Sequence, residues 1–156
     1  MDEDQDDIVY KNGEIRIKNT YVMSTKDKIG SGAFGEIYRG YDVKTKTKLA
    51  FKLELNTTKS PQLSLEYKVL KTMQGIGKYI IYIWCIYIVG FSNVYHYSNL
   101  GEDTILVMDL FGSNLEDLMK QTKTKRFSLK TVLMIADQFV CIYIYLIYMY
   151  IAYKVK

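Results

Sequence analysis

Alternation of apolar and polar residues in the middle of the chain predicts strands. Residues 36–43, "EIYRGYDV", and residues 48–55, "KLAFKLEL", alternate in this way and are joined by the polar turn "KTKTK". Residues 93–109 predict a second hairpin, which turns at "LGED" and ends near Asp109. In residues 48–55, one face of the predicted strand carries Leu49, Phe51, Leu53 and Leu55, and the other carries Ala50, Lys52 and Glu54.

Helical periodicity predicts three helices. The first follows Ser60, which suits an N-cap, and Pro61, which suits the first helical position. The second begins at Ser113 or Asn114, and the third is capped by Ser128. The predicted apolar stripes are Leu63, Tyr67 and Leu70 in the first helix, and Leu129, Val132, Leu133, Ala136 and Val140 in the third.

Two segments rich in Ile and Tyr differ from their surroundings: "YIIYIWCIYIVGF" at 79–91 and "FVCIYIYLIYMYIAYKVK" at 139–156. The first is shorter than the about 18 to 20 apolar residues that a membrane span needs. The second could serve as a tail anchor, but its tyrosines are scattered, whereas tyrosine favours the membrane interface. We expect no membrane anchoring and a tendency of both segments to form aggregation-prone strands. A further hypothesis is that both are translated introns, because Ile, Tyr, Lys and Met have codons rich in A and T.

Composition and charge exclude several classes of function. The net charge of +4 over 156 residues is too small to indicate a nucleic-acid-binding protein. Residues 1–20 begin with the acidic "MDEDQDD" and are expected to be a disordered N-terminus without a signal peptide. Cys85 and Cys141 match no disulfide or metal pattern. His96 is the one histidine, which argues against a His/Cys zinc site or a Ser-His-Asp triad and favours a structural role.

The stretch "IGSGAFGEIY" contains three glycines, Gly30, Gly32 and Gly35, that would let backbone N–H groups approach phosphate oxygens. The same G-x-G-x-x-G spacing occurs in dinucleotide-binding folds, where Glu54 would be the ribose-binding acid. That alternative fails because the pattern predicts a strand, and no helix, between the loop and the acid. In a hairpin, Phe34 would cap the loop, and Ile37 would lie over an adenine ring.

The strand after the hairpin adds a cation to this phosphate loop. Ala50 and Lys52 share a face, so a small residue leaves room for a flat base while an ammonium lies near the phosphates. Glu66 lies on the core-facing side of the first predicted helix, where a carboxylate needs a partner. Lys52 is the available partner, and the pair would hold the ammonium in position for phosphate binding.

Together these residues resemble the casein kinase I family of serine/threonine protein kinases. The resemblance runs from Tyr21 to Gln138, interrupted at about 77–92, and residues 139–156 form a tail without resemblance. It implies an α+β fold, with a kinase-like N-terminal lobe of five antiparallel strands and one helix, followed by the first helices of a truncated second lobe. The motifs that carry it are "KIGSGAFGEIYRGYD", "LAFKLE", "SPQLSLEYKVLKTMQG", "ILVMDLFGSNLEDLM" and "FSLKTVLMIADQ".

The resemblance implies that ATP binds to this region. Lys52 and Glu66 would be the supporting ion pair, Met108 the gatekeeper, and Asp117 a residue near the ribose. The glycine loop with its flanks, the adenine-facing positions and the hinge would complete the nucleotide site: Ile29, Gly30, Ser31, Gly32, Ala33, Phe34, Gly35, Ile37, Ala50, Asp109, Leu110 and Phe111.

The sequence also departs from the family. It has no counterpart of the catalytic-loop Asp and Asn or of the D-F-G Asp, so protein ligands for the expected Mg²⁺ are absent and phosphoryl transfer is not expected. An intact family member would phosphorylate acidic or primed protein substrates in the cytoplasm or nucleus. The alternatives are a nucleotide-binding pseudokinase or scaffold, and a protein anchored to a membrane by residues 139–153.

Overall fold

The computed structural model describes residues 8–11, 13–32, 35–80 and 91–154. The predictions for Ala33, Phe34 and most of the first Ile/Tyr segment lie outside these residues. The described chain divides into two compact units, one containing residues up to 80 together with 91–111, and the other containing residues 112–154.

The first unit is built on a curled antiparallel sheet. Its strand order is β1-β2-β3-β4-β5-β7-β6. The described residues therefore contain seven strands, and the prediction of five was wrong. The strands are β1 (Ile8–Lys11), β2 (Glu14–Ile17), β3 (Tyr21–Gly32), β4 (Gly35–Asp42), β5 (Lys48–Glu54), β6 (Val94–Leu100) and β7 (Asp103–Asp109).

The two additional strands correct the prediction for residues 1–20. Residues 8–11 and 14–17 form β1 and β2 instead of a disordered tail, and their pairing is continued by β3. Ile15 and Ile17 alternate with polar residues in "EIRI" and are buried against the sheet. Their burial explains why this segment is ordered despite the acidic residues before it.

Three helices are described: α1 (Leu63–Ile80) in the first unit, and α2 (Leu115–Gln121) and α3 (Leu129–Lys154) in the second. Two predicted caps are confirmed, because Asn114 Oδ1 accepts the Asp117 N–H at 2.8 Å and Ser128 Oγ accepts the Thr131 N–H at 3.2 Å.

Helix α3 continues through the boundary predicted after Gln138. The described part of the second Ile/Tyr segment is therefore helical, and the prediction of a strand there was wrong. The predicted apolar stripe on α3 is present in the sequence, but its members Leu129, Val132, Leu133, Ala136 and Val140 are all exposed. Of the helices in the described ranges, none has both the length and the apolar character required to cross a bilayer.

Strand β5 lies inside the sheet, between β4 and β7, and separates two groups of apolar side chains. On one face, Phe51 is fully buried among side chains from β2, β3, β6 and β7. On the other face, Leu106 packs with Leu63 of α1, and the rings of Tyr67 and Tyr97 stack with centroids 4.4 Å apart. The predicted alternation in β5 is therefore confirmed, and the helix covers the face that carries Lys52.

The curl of the sheet brings two strands together that are not neighbours in its order. The ring of Tyr21 in β3 stacks on His96 in β6 with a centroid distance of 5.8 Å, although three strands separate β3 from β6. His96 Nε2 lies 3.0 Å from Ser98 Oγ. Burial, with a smaller effect of the Lys18 charge, lowers the pKa of His96 below its ordinary value of 6.5. Its role in the structure is that of a packed aromatic ring.

The lowered pKa of His96 predicts sensitivity to mild acid. Because the folded state disfavours protonation, the neutral ring contributes stability above pH 6.5 that is lost as the pH falls below it. Urea unfolding at about pH 7.5 and about pH 5.5 should show lower stability at the acidic pH, and His96→Phe should reduce this difference. Since the chain has a single histidine, one imidazole NMR signal reports the midpoint; a midpoint at or above 6.5 would contradict the prediction.

At Gly40, strand β4 lies very close to the neighbouring strands β3 and β5. A Cβ at this position would lie 2.1 Å from the Val22 carbonyl oxygen and 2.4 Å from Phe51 Cε2. Gly40→Ala should therefore lower the free energy of unfolding by about 3 kcal/mol, measured by urea denaturation. Gly32→Ala is the matched control, because a Cβ there meets nothing within 4 Å. Equal stability of the two variants would refute the packing argument.

Candidate functional site

The glycine-rich stretch forms the end of the β3–β4 hairpin. Gly30 pairs with Ile37, Ser31 with Glu36, and Gly32 with Gly35. Gly35 has a φ of +125°, and a Cβ there would lie 2.1 Å from the Leu53 carbonyl oxygen, so only glycine fits. The predicted strand–turn–strand arrangement after the glycines is confirmed as β4, the turn and β5, and it differs from the helix that follows the glycines in a dinucleotide fingerprint.

Side-chain contacts brace the hairpin beside its glycines. Lys28 Nζ and Tyr38 OH both donate to the carboxylate of Glu36, which links β3 to β4. These hydrogen bonds lower the pKa of Glu36, so it stays ionised near neutral pH. Ile29 lies at a register shift between Lys28 and Gly30, and 40 % of its surface is exposed. The glycine-lined end is thus carried by two strands that are also joined by side chains.

Several predicted nucleotide-binding residues lie on one face of the sheet. Ile37 in β4 pairs with Lys52 in β5, and Ala50 pairs with Met108 in β7. Directly paired residues of antiparallel strands place their side chains on the same face, and residues two apart on a strand share it. Ile37, Lys52, Ala50 and Met108 therefore form a continuous patch. Ala50 is buried, and Met108 packs against the cluster beneath α1.

The predicted ion pair between Lys52 and Glu66 is confirmed. Lys52 Nζ donates to Glu66 Oε2 at 2.5 Å and joins β5 to α1. The side chains retain 18 % and 33 % of their exposed surface, respectively, so the pair is shielded but accessible from solvent. An ammonium has three N–H donors, and a single carboxylate oxygen does not exhaust them.

A second carboxylate on β5 holds the beginning of α1. Glu54 is buried, with 6 % of its surface exposed, and its Oε1 accepts the N–H groups of Gln62 at 2.7 Å and Leu63 at 3.1 Å. The helix therefore begins at Leu63 and is capped by a residue from the sheet. The prediction that Ser60 caps this helix, with Pro61 as its first residue, was wrong.

Sequence reasoning missed the role of Glu54, although a signal was present. The alternation of β5 places Glu54 on the same face as Lys52, where a buried carboxylate requires a partner. Helix N-termini offer unpaired N–H groups and a favourable dipole for such a carboxylate. The need of a core-facing carboxylate for a partner, which identified Glu66, applies equally to Glu54 and predicts a capping role for it.

The Asp109 side chain ties the end of β7 to the residues before β6. Its carboxylate accepts hydrogen bonds from the Asn93 backbone N–H at 2.7 Å, the Asn93 Nδ2 at 2.9 Å and the Tyr95 hydroxyl at 2.7 Å. Its own N–H donates to Ser92 Oγ and to the Asn93 carbonyl oxygen, both at 3.1 Å. The Asp109 N–H is therefore used within the hairpin, and the predicted contact of the hinge backbone with adenine stays a prediction. The hydrogen bond to Asp109 is the main cause that raises the pKa of Tyr95 to about 12.

The remaining predicted residues lie beyond β7. Leu110 and Phe111 follow the strand outside any helix or strand, and Phe111 is 62 % exposed. Asp117 lies in the first turn of α2 in the second unit, where its backbone N–H bonds to the capping residue Asn114. The predicted contact of Asp117 with a ribose stays a prediction.

No protein-family model matches the chain. Within the described ranges, His, Cys, Asp and Glu side chains form no group of three or more that could hold a metal ion. The site therefore consists of an ammonium held by a carboxylate, an apolar patch beside it, and a glycine-lined hairpin end. Such a set suits an anion attached to a flat apolar group.

The cap formed by Glu54 predicts that two substitutions at this position lower the free energy of unfolding by different amounts. Glu54→Ala should cost about 1 kcal/mol or more in free energy of unfolding, because it leaves two helix N–H groups without an acceptor. Glu54→Gln keeps a side-chain oxygen and should cost less. Urea unfolding measures both, and amide hydrogen exchange at Gln62 and Leu63 should accelerate in the alanine variant. Unchanged exchange at these two amides would show that the cap is not formed in solution.

Proposed function

We propose that this chain is the ATP-binding part of a serine/threonine protein kinase resembling the casein kinase I family. Lys52 binds the phosphates, the glycine-lined end of the β3–β4 hairpin covers them, and the patch formed by Ile37, Ala50 and Met108 receives the adenine. The observation that carries the proposal is the Lys52–Glu66 ion pair, since it holds a cation on the face that continues into the glycine hairpin.

The placement of the ion pair supports phosphate binding over a purely structural role. A surface ion pair contributes little to stability, but this one is shielded and connects strand β5 to helix α1. Ile37, the cross-strand partner of Lys52, lies two residues after Gly35, so the cation is within two residues of the hairpin end. An ammonium that is already held in place contributes more net binding free energy to a phosphate, because less side-chain conformational entropy is lost on binding.

The adenine contacts in this proposal come from backbone as well as side chains. Ala50 is small and buried beside Met108, which leaves a shallow apolar surface for a ring. The Asp109 N–H is engaged with Ser92 and Asn93, so the hydrogen bonds to the base are assigned to the other backbone groups of the predicted hinge, from Asp109 to Phe111.

Binding is proposed here without phosphoryl transfer by the chain itself. Transfer requires a positioned nucleophile and metal, and the residues given contain no counterpart of the catalytic Asp or of the magnesium-binding Asp and Asn. In the part of the chain that the structure describes, the His, Cys, Asp and Glu side chains likewise form no group that fits a protein-held Mg²⁺ ion. Acidic or primed protein substrates, and a cytoplasmic or nuclear location, are proposed for the intact kinase on the resemblance alone.

The proposal predicts ATP-dependent stabilisation that depends on Lys52. At a concentration one hundred times the Kd, ATP should add about 2.7 kcal/mol to the free energy of unfolding. Lys52→Met should weaken ATP binding at least about tenfold, because it removes a charged donor to phosphate. Isothermal calorimetry and thermal unfolding with and without ATP measure both effects.

Two controls separate binding from folding. Lys71→Met makes the same substitution at an exposed lysine of α1 and should leave ATP affinity unchanged. Unfolding of each variant without ATP shows whether the fold survives. ATP affinity that is equal in wild type and Lys52→Met would refute the proposal. Incubation with labelled ATP and casein adds a further test: phosphate incorporation would contradict the absence of transfer, whereas binding alone also fits a pseudokinase or scaffold.

A further inference from the structure

A second basic site lies on the same sheet, away from the Lys52–Glu66 pair. Met23 of β3 pairs with Gly40 and Lys28 pairs with Tyr38, so residues 24–27 of β3 face the single residue Arg39 of β4. This bulge opens a cavity of about 460 Å³. Bulges of this kind occur frequently next to binding sites. The cavity is lined by Ser24, Asp27, Arg39, Gly40, Tyr41, Lys46 and Lys48.

The cavity carries an excess of positive charge. Three of its side chains are cationic and one is a carboxylate. Arg39 uses a single nitrogen, Nη1, for both oxygens of Asp27, at 3.2 and 3.1 Å. A guanidinium has five N–H donors, so this pairing leaves those on Nε and Nη2 for another acceptor. Asp27 thus holds Arg39 in place and neutralises only part of the local charge.

The turn between β4 and β5 holds a second cation at the cavity. Asp42 Oδ1 accepts the N–H groups of Lys44 at 2.7 Å and Thr45 at 2.8 Å, and the Asp42 carbonyl oxygen accepts the Lys46 N–H at 2.9 Å. The bonds from Thr45 and Lys44 hold the pKa of Asp42 below its ordinary value. The Lys46 ammonium lies 5.8 Å from the centroid of the Tyr41 ring. The turn therefore orders the backbone of Lys46, and its exposed ammonium lies at the outer range of a cation–π contact with Tyr41.

Lys48 completes the arrangement from β5. It is the cross-strand partner of Tyr41, so both side chains lie on one face of the sheet. Lys48 is four residues from Lys52, which corresponds to about 13 Å along an extended strand. The Lys48 side of the cavity is thus apart from the Lys52–Glu66 pair, whereas Arg39, the cross-strand partner of Ala50, borders the patch proposed for adenine. Substitutions at Lys46 and Lys48 therefore test the cavity independently of Lys52.

We propose that this cavity binds a phosphate monoester, with Arg39, Lys46 and Lys48 contacting the phosphate oxygens. A phosphate dianion matches the excess of two positive charges, and the free edge of a guanidinium suits two of its oxygens. Sites for small ligands measure roughly 300–1,000 Å³, so a cavity of about 460 Å³ also has room for the group that carries the phosphate. The source of the phosphate is a small metabolite or a phosphorylated peptide side chain, and the experiment distinguishes them.

Titration of the ¹⁵N-labelled full chain with inorganic phosphate at constant ionic strength tests the proposal. Backbone amide signals of residues 39–48 should shift in a saturable manner. The double variant Lys46→Gln/Lys48→Gln should bind phosphate at least about tenfold more weakly. Lys44→Gln, on the same turn but outside the cavity lining, is the matched control and should bind as the wild type does.

Additional experiments separate this site from the proposed ATP site and identify the source of the phosphate. Lys52→Met should keep the phosphate response of residues 39–48, which separates this site from the proposed ATP site even if one of the two proposals fails. A phosphoserine peptide that binds more tightly than inorganic phosphate, while its unphosphorylated form does not bind, identifies a peptide source; equal affinity identifies a small phosphate. A response that is absent, spread over the surface, or equally strong in the double variant would overturn the proposal. Thermal unfolding confirms that each variant is folded.

Discussion

The attachment of α1 to strand β5 is the constraint on which the proposed site depends. Two side chains of β5 reach the helix from the same face: Glu54 accepts the first N–H groups of α1, and Lys52 pairs with Glu66 one turn later. The first contact determines where the helix starts, and the second fixes its rotation relative to the strand. Without both, the ammonium would have no defined position beside the glycine hairpin.

The sheet supplies the rest of this geometry through its curvature. Its early strands fold over one face, as the contact of Tyr21 with His96 shows, and α1 covers part of the other. Close backbone approaches at Gly35 and Gly40 keep β4 tight against its neighbours. The bulge in β3 relaxes this tight pairing at one place and opens the basic cavity. One strand, β4, thus borders both proposed binding sites, at different positions along its length.

Local patterns predicted the parts of the site that depend on periodicity. The alternation of β5 placed Ala50 and Lys52 on one face, and helical spacing placed Glu66 toward them. Features that arise from long-range contacts were not predictable in this way. The cap of α1 comes from Glu54, eight residues before Gln62, and the Asp109 N–H is taken by Ser92, seventeen residues away in sequence. Strands β1 and β2 were missed because acidic composition outweighed the short alternation around Ile15 and Ile17.

The central claim is that the Lys52 ammonium lies where ATP phosphates bind. The most direct measurement is labelling of the full chain with an acyl-phosphate derivative of ATP, which acylates lysines next to the phosphates, followed by peptide mass spectrometry. The account predicts that Lys52 is the principal labelled lysine and that excess ATP protects it. Labelling spread over the exposed lysines, without protection by ATP, would contradict it.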